Sequence, residues 1–308
     1  MRDRARFFSP WRSRVAMPLG SYTCALSLEG SLAGDRAVAA AVTALADQSD
    51  VLTLALWPLG HGAIATECLG HWQETSVIDL RDGAEAAIAR FKGVTRRMAG
   101  QAARRGVKCA VSKPEEGIDL YYAMLCGSAR RWGLAAPSIS RALLGAVFRA
   151  AGGDAELWFA RLDGEPIAGG VVLYGSEELF FWSAAMREEF SYLRPSNALN
   201  VALIKTAAER GLRWYNLGAS VGLPGVARFK RSLGAERLGY RSYTFHSRRY
   251  ALFRRLKNVL LGRDDAPAAQ SNPMNAVIGS SVDGGAGPSG TATPPSMTPA
   301  PESRSVLR

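Results

Sequence analysis

The stretch Arg210-Gly211-Leu212-Arg213-Trp214-Tyr215-Asn216-Leu217-Gly218, followed by Gly225, Phe229-Lys230 and Leu233-Gly234-Ala235, decides how this chain is read. Residues 197–210 carry helical periodicity, and Gly211 stops them, because glycine accepts the left-handed backbone that closes a helix. Residues 213–217 read as a strand, 225–232 as a short helix and 240–245 as a final strand.

Upstream of this stretch, residues 120–132 and 138–150 read as helices, the second with Ser138 as its N-cap after Pro137. Three strands follow at 156–162, 166–173 and 178–185. Asp163-Gly164 joins the first two, a pair suited to a two-residue turn in which both positions need positive φ. The order ααβββαβαβ predicts a mixed α/β sheet flanked by helices. Further towards the N-terminus, 36–47 reads as a helix and 51–57 as a buried strand ended by Pro58. Residues 76–80 read as a short strand, 84–105 as one long basic helix stopped at Gly106, and 107–112 as a strand. Pro114 is taken as the boundary between a first half, 21–113, and a second half, 114–246. Residues 247–263 combine apolar and basic residues at helical spacing. The segments 1–20 and 264–308 are expected to be flexible; the latter is rich in Pro, Gly, Ser, Ala and Thr and poor in large apolar residues.

Composition narrows the class. The 308 residues are 47% hydrophobic and include 7 Trp, 11 Phe and 9 Tyr, enough for a substantial core. A formal net charge of +11 points to an anionic partner, whether nucleic acid, a phosphorylated precursor or the inner membrane face. Cys24, Cys68, Cys109 and Cys126 lie far apart and form no metal or disulfide pattern. Neither a signal-peptide pattern nor a spanning apolar run is found, so a cytoplasmic location is expected.

With these elements in place, the second half resembles the GNAT-like domain of FemAB and BioF2-like (CelD-like) acyltransferases. The resemblance rests on Arg130-Arg131-Trp132-Gly133 at a helix end, on the hairpin Trp158 to Gly170, and on Tyr192-Leu193-Arg194-Pro195-Ser196-Asn197. It rests above all on the opening stretch, which is similar to the family's "G-x-x-x-y-D-l-G … G-x-x-x-F-K-x-x-f-G-a" signature. Arg96 to Val107 is a weaker match to the family's basic helix, and the first half is expected to be a degenerate GNAT-like partner. In all, the resemblance covers about residues 85–245. Asn216 stands where relatives usually carry Asp, which removes a charge but keeps hydrogen bonding. The glycine-rich Q/R-x-x-G-x-G/A loop of typical GNAT enzymes is absent.

The resemblance implies transfer of an acyl group to an amine or hydroxyl of a cell-envelope or exopolysaccharide precursor. The expected donor is an acyl-CoA, with no metal. The acceptor is a small molecule or a lipid-linked glycan. Aminoacyl-tRNA-dependent transfer, with tRNA as the only nucleic-acid partner, is the same-class alternative. A non-catalytic module for a phosphorylated glycan or a membrane surface is the other. In such a fold the sheet splays, with Trp182, Ser183 and Ala184 on one side and 217–220, including Gly218 and Ser220, on the other. Lys230, after Phe229, would stabilise the tetrahedral intermediate or a substrate phosphate; otherwise it is an exposed lysine beside Arg228 and Arg231. Tyr192 could relay a proton, and Arg194 could meet a phosphate at the start of the next helix. Ser196 and Asn197 serve either the substrate or as N-caps. Arg131 reaches the acceptor or ends a solvated helix, and Trp132, Trp158 and Trp182 are core residues or stacking platforms. His61, His71 and His246 have no triad spacing. The 247–263 helix either docks on the body or lies on an anionic membrane.

Overall fold

Asp163 and Gly164 adopt φ of 49° and 86°, so the expected turn forms and pins two long strands into a hairpin. The computed structural model describes residues 11–15, 40, 43–55, 69–220 and 223–260. Its strands are β1 (Ser13–Val15), β2 (Val51–Ala55), β3 (Leu69–Asp79), β4 (Lys108–Ser112) and β5 (Ala155–Leu162), then β6 (Glu165–Tyr174), β7 (Glu178–Met186), β8 (Trp214–Asn216) and β9 (Glu236–His246). They form one nine-stranded mixed sheet in the order β1-β2-β9-β3-β8-β7-β6-β5-β4. Among the described residues only β1–β2 and β7–β8 pair in parallel.

The helices are α1 (Gly83–Ala89), α2 (Gly93–Arg104), α3 (Pro114–Arg131), α4 (Arg141–Ala151), α5 (Pro195–Glu209), α6 (Pro224–Ser232) and α7 (Arg248–Leu260). Residues 43–47 are also helical. Alternation along β5 assigns the two faces of the sheet. Leu157 and Phe159 point to one side, where Tyr121, Met124, Leu144 and Phe148 of α3 and α4 cover them. Trp158 points to the other, where Leu199, Leu203 and Ile204 of α5 pack with Ile78, Leu179 and Tyr215. Each fully buried side chain of this size contributes about 1.5–3 kcal/mol, so the two helical layers hold the sheet between them.

Several boundaries differ from the sequence reading. The 84–105 helix is two helices, because Phe91 turns into the core and the Lys92 N–H donates to the Ser232 carbonyl at 2.9 Å. Pro114 is the first residue of α3, where its missing N–H costs nothing. The helix therefore begins six residues before 120. The N-cap of α4 is Ser140, not Ser138; its hydroxyl accepts from the Leu143 N–H at 3.1 Å. Strand β3 starts at Leu69 rather than 76, since β9 pairs with it from Leu69 to Val77. Within the 1–20 segment, Ser13–Val15 is ordered as an edge strand on β2. The 264–308 segment lies outside the described residues.

The sheet interleaves the chain on both sides of Pro114. Strand β9 lies between β2 and β3, and β4 pairs with β5. Helix α7 docks through Tyr250 and Phe253, whose rings lie 5.3 and 5.1 Å from that of Trp11. Leu252, Leu256, Val259 and Leu260 of this helix are exposed. Among the described residues, no helix is long and apolar enough to cross a membrane.

Candidate active site

The strands β7 and β8 pair only from Glu178↔Trp214 to Phe180↔Asn216. Beyond that point β7 continues to Met186 on the β6 side, while the chain after Asn216 follows β3: Leu217 N–H donates to the Ser76 carbonyl, and Ser76 N–H to that of Gly218. The sheet therefore opens between two strands that start as neighbours. Gly218 sits at the departure point with φ of 72°, a conformation that glycine adopts without strain.

The opening is a cleft of about 310 Å³. A bulge shapes its β7 wall: Val171 pairs with Ser183 but Val172 with Phe181, so Trp182 is the extra residue. An undistorted strand alternates its side chains between faces, whereas the bulge lets Trp182 and Ser183 both line the cleft. Gly170 of β6 makes room for this, since a Cβ there would lie 2.1 Å from the Phe181 ring. The remaining walls come from α3, α5 and α6, through residues such as Arg131, Leu199 and Phe229.

Lys230 lies in the last turn of α6 and is only 7% exposed. Its ammonium donates to the carbonyls of Gly218 and Ala219, both at 2.8 Å. Among the described residues it has no carboxylate partner, and burial pulls its pKa down to about 8. Two of its three N–H bonds hold the 217–220 segment in place, and the third remains for the cleft.

Beneath the closed end of the strand pair, Asn216 is fully buried. Its Oδ1 accepts from the Thr75 hydroxyl at 2.7 Å and from the Gly218 N–H at 2.8 Å, while its Nδ2 donates to Glu178 at 3.2 Å. Asn200 similarly accepts from Tyr215 and donates to the Ser196 carbonyl, each at 2.8 Å. Tyr121 is fully buried, which raises its pKa, and its hydroxyl donates to Ser183 Oγ at 2.8 Å. The Ser183 hydroxyl is thereby left to donate in turn. Ser128 lines the cleft with its Oγ buried and without a hydrogen-bond partner, and it is the sole such side-chain atom among the described residues. An orphaned buried hydroxyl facing a cleft fits a ligand that supplies the missing partner.

The cleft gathers Arg131, Trp182, Ser183, Ser196, Phe229 and Lys230 from the sequence-predicted set. Ser196 and Asn197 are not caps: Arg194, with φ of 59°, is the N-cap of α5, and Pro195 fills the first helical position without a side-chain cap. Asn197 is buried, and Arg194 is exposed beside it. Tyr192 is exposed outside the cleft, where Arg105 lies 5.8 Å over its ring and donates to its carbonyl. Asn216 and Gly218 act below the cleft rather than in its lining, and Ser220 borders a second cavity. Trp158 is core; Trp132 is 54% exposed at the cleft mouth, so the core reading fails there. Sequence reasoning missed Ser128, Tyr121, Asn200, Thr75 and Glu178, ordinary residues whose roles arise only from long-range contacts. His61 lies outside the described residues, and His246 contacts Tyr250 and Arg254 away from the cleft. Cys109 and Cys126 are free thiols, and burial lifts the former to about 12. Among the described residues no cluster of three or more His, Cys, Asp or Glu could hold a metal ion.

Residues 89–231 match the family model of the acetyltransferase (GNAT) domain, a class of acyltransferases. The splayed mixed sheet is the fold of that class. FemX shares the fold: its crystal structure superposes with a TM-score of 0.58 at 12% identity, covering 72% of this chain and 79% of FemX. The C-terminal domain of a protein assigned as a lysylphosphatidylglycerol synthetase in Agrobacterium fabrum superposes less well. Its TM-score is 0.49 at 15% identity, over 76% of this chain and 79% of that one. Among curated proteins, none matches the chain.

Proposed function

We propose that this protein transfers an acyl group from an acyl-CoA thioester to an amine or hydroxyl of a cell-envelope or exopolysaccharide precursor. The observation that carries the reading is the cleft where β7 and β8 part, with the Lys230 ammonium buried in its wall. The acceptor lone pair attacks the thioester carbonyl carbon, forming the new C–N or C–O bond and charging the carbonyl oxygen. Collapse of the tetrahedral intermediate breaks the C–S bond, and the departing thiolate takes up the proton that the acceptor loses. Lys230 supplies positive charge to the oxyanion from a fixed position, with little reorganisation needed as the charge develops. Ser128 and Ser183 orient the donor by hydrogen bonds, and the apolar wall of Trp182, Leu199 and Phe229 excludes water.

Arg194 has no ion pair among the described residues and stands at the N-terminus of α5, where free N–H groups favour anions. It is the candidate partner for the donor's phosphates in place of the missing glycine-rich loop. The apolar stripe on α7, bordered by Arg248 and Arg255, supports an acceptor held at an anionic membrane surface.

Thermal denaturation with candidate donors tests this, because a ligand that binds the native state raises the midpoint by mass action. Stabilisation by acetyl-CoA, together with acylated product in a mass-spectrometric screen of envelope sugars, is the expected result. A shift only with aminoacyl-tRNA would replace the donor. Sedimentation with anionic vesicles and no response to either donor would favour a binding module instead.

A further inference from the structure

We propose that the cavity on the opposite side of α6 from Lys230 binds a phosphate group, and that this phosphate belongs to the acceptor. Residues on a helix advance by about 100° each, so Val226, Phe229 and Lys230 share the face towards the cleft. Ala227, Arg228 and Arg231 share the opposite face and line a cavity of about 500 Å³. Its far wall is Ser76 of β3 and Arg237 of β9, and Ser220 closes it on the side of the cleft.

The charge in this cavity is unbalanced. Three guanidinium groups face one carboxylate, Glu74, which pairs with Arg237 at 3.2 Å. The guanidinium groups of Arg228 and Arg231 have neither an ion pair nor a hydrogen-bond partner among the described residues. Both are exposed and lie three residues apart on one helix face, where their mild mutual repulsion is relieved by an anion that bridges them. The planar donor fork of arginine matches the oxygens of a phosphate, and the hydroxyls of Ser76 and Ser220 add neutral donors.

The two cavities share a wall. The Gly218 carbonyl accepts from Lys230 Nζ on one side and from the Ser76 N–H on the other, at 2.8 and 3.2 Å. Leu217 lines the cleft and Ser220 the basic cavity, so a phosphate held here anchors its molecule one backbone layer from the acyl-transfer site. The donor's phosphates have a separate candidate at Arg194, which leaves this cavity to a glycosyl or nucleotidyl phosphate on the acceptor. Its assignment to the acceptor rests on the acyl-transfer reading; the binding of phosphate does not.

Isothermal titration of the full chain with UDP-N-acetylglucosamine, pyrophosphate, acetyl-CoA and dephospho-CoA tests the proposal. The comparison is between the wild type, the double variant Arg228→Ala/Arg231→Ala and the cleft variant Lys230→Met. Circular dichroism would check folding, and a double lysine variant separates charge from the guanidinium fork. The expected result is that the double alanine variant loses roughly tenfold or more in affinity for the sugar nucleotide and pyrophosphate, in a salt-dependent way. Acetyl-CoA affinity should be unchanged in that variant, and Lys230→Met should keep its pyrophosphate affinity. Equal affinity of wild type and double alanine variant for both phosphate probes would overturn the site. A loss confined to acetyl-CoA, and absent for dephospho-CoA, would assign the arginines to the donor's 3′-phosphate and overturn the acceptor role. Phosphate binding that depends on the arginines in a protein that responds to neither acetyl-CoA nor aminoacyl-tRNA would keep the site and remove the acyl-transfer reading instead.

Discussion

The two ends of the β7–β8 pair make opposite use of polar groups. At the closed end, Asn216 is matched on every side: it accepts from Thr75 and Gly218 and donates to Glu178, in a fully buried setting. At the open end, β7 runs on to Met186 with no β8 partner, Ser128 keeps an unsatisfied hydroxyl, and Lys230 is buried without a counter-ion among the described residues. A protein pays for such mismatches in stability, and they persist where a ligand or a transition state completes them. One strand pair therefore holds the fold at one end and leaves unmatched polar groups at the other.

The largest effect should come from the open end. Lys230→Met is expected to lower turnover by about 10²–10³-fold with the fold retained, the usual cost of one oxyanion donor. Burial lowers the Lys230 pKa to about 8, so the cationic form and the activity should fade as pH rises through that value. The sign for stability is the reverse. The unfolded lysine binds more protons between about 8 and 10.5, so folding stability should rise with pH across that window, and the rise should vanish in Lys230→Met. A pH–rate profile and urea denaturation would check both; a variant with unchanged turnover and an unchanged alkaline limb would separate Lys230 from the reaction.

A smaller effect should break the closed end. Asn216→Asp would set a second carboxylate against Glu178, 3.2 Å from the present Nδ2. A loss of about 2–4 kcal/mol at neutral pH is expected from the lost donor and the like-charge contact. Glu178→Gln, or acidification that protonates one carboxyl, should recover part of it. A variant as stable as wild type at pH 8 would show that Asn216 and Glu178 are not a matched pair.

Ser128→Ala should be the smallest change and the most diagnostic. Removing an unpartnered hydroxyl leaves stability unchanged or improves it by up to about 1 kcal/mol, while KM for the donor should rise roughly two- to tenfold. Steady-state kinetics beside a melting curve would distinguish the two; a loss of stability with no change in KM would assign Ser128 to the fold.

The order of elements in residues 114–246 was legible because it rests on short-range signals. Asp163-Gly164 demands its turn, Gly211 ends α5, and the apolar run after it can only be a short buried strand. Lys230 was singled out by its Phe-Lys context. Its burial was not legible, since Arg228 and Arg231 beside it suggest a solvated face. The break at Phe91 was hidden too, because a phenylalanine fits the middle of a helix unless a distant core claims it. By motif Tyr192 is a second candidate behind Lys230, and only the tertiary structure, with Arg105 packed against it, puts it outside the cleft.

What the chain determines locally is the kind of each element and the hand of each turn, since φ preferences and apolar spacing act over a few residues. The tertiary structure alone decides where neighbours part. The three-residue contact of β7 with β8 depends on β3 capturing the chain after Asn216, a partner about 140 residues upstream. The same long-range pairing turns one face of α6 into a cleft wall and the other into a basic cavity, because side chains two or three residues apart acquire opposite surroundings only once the sheet has closed around them.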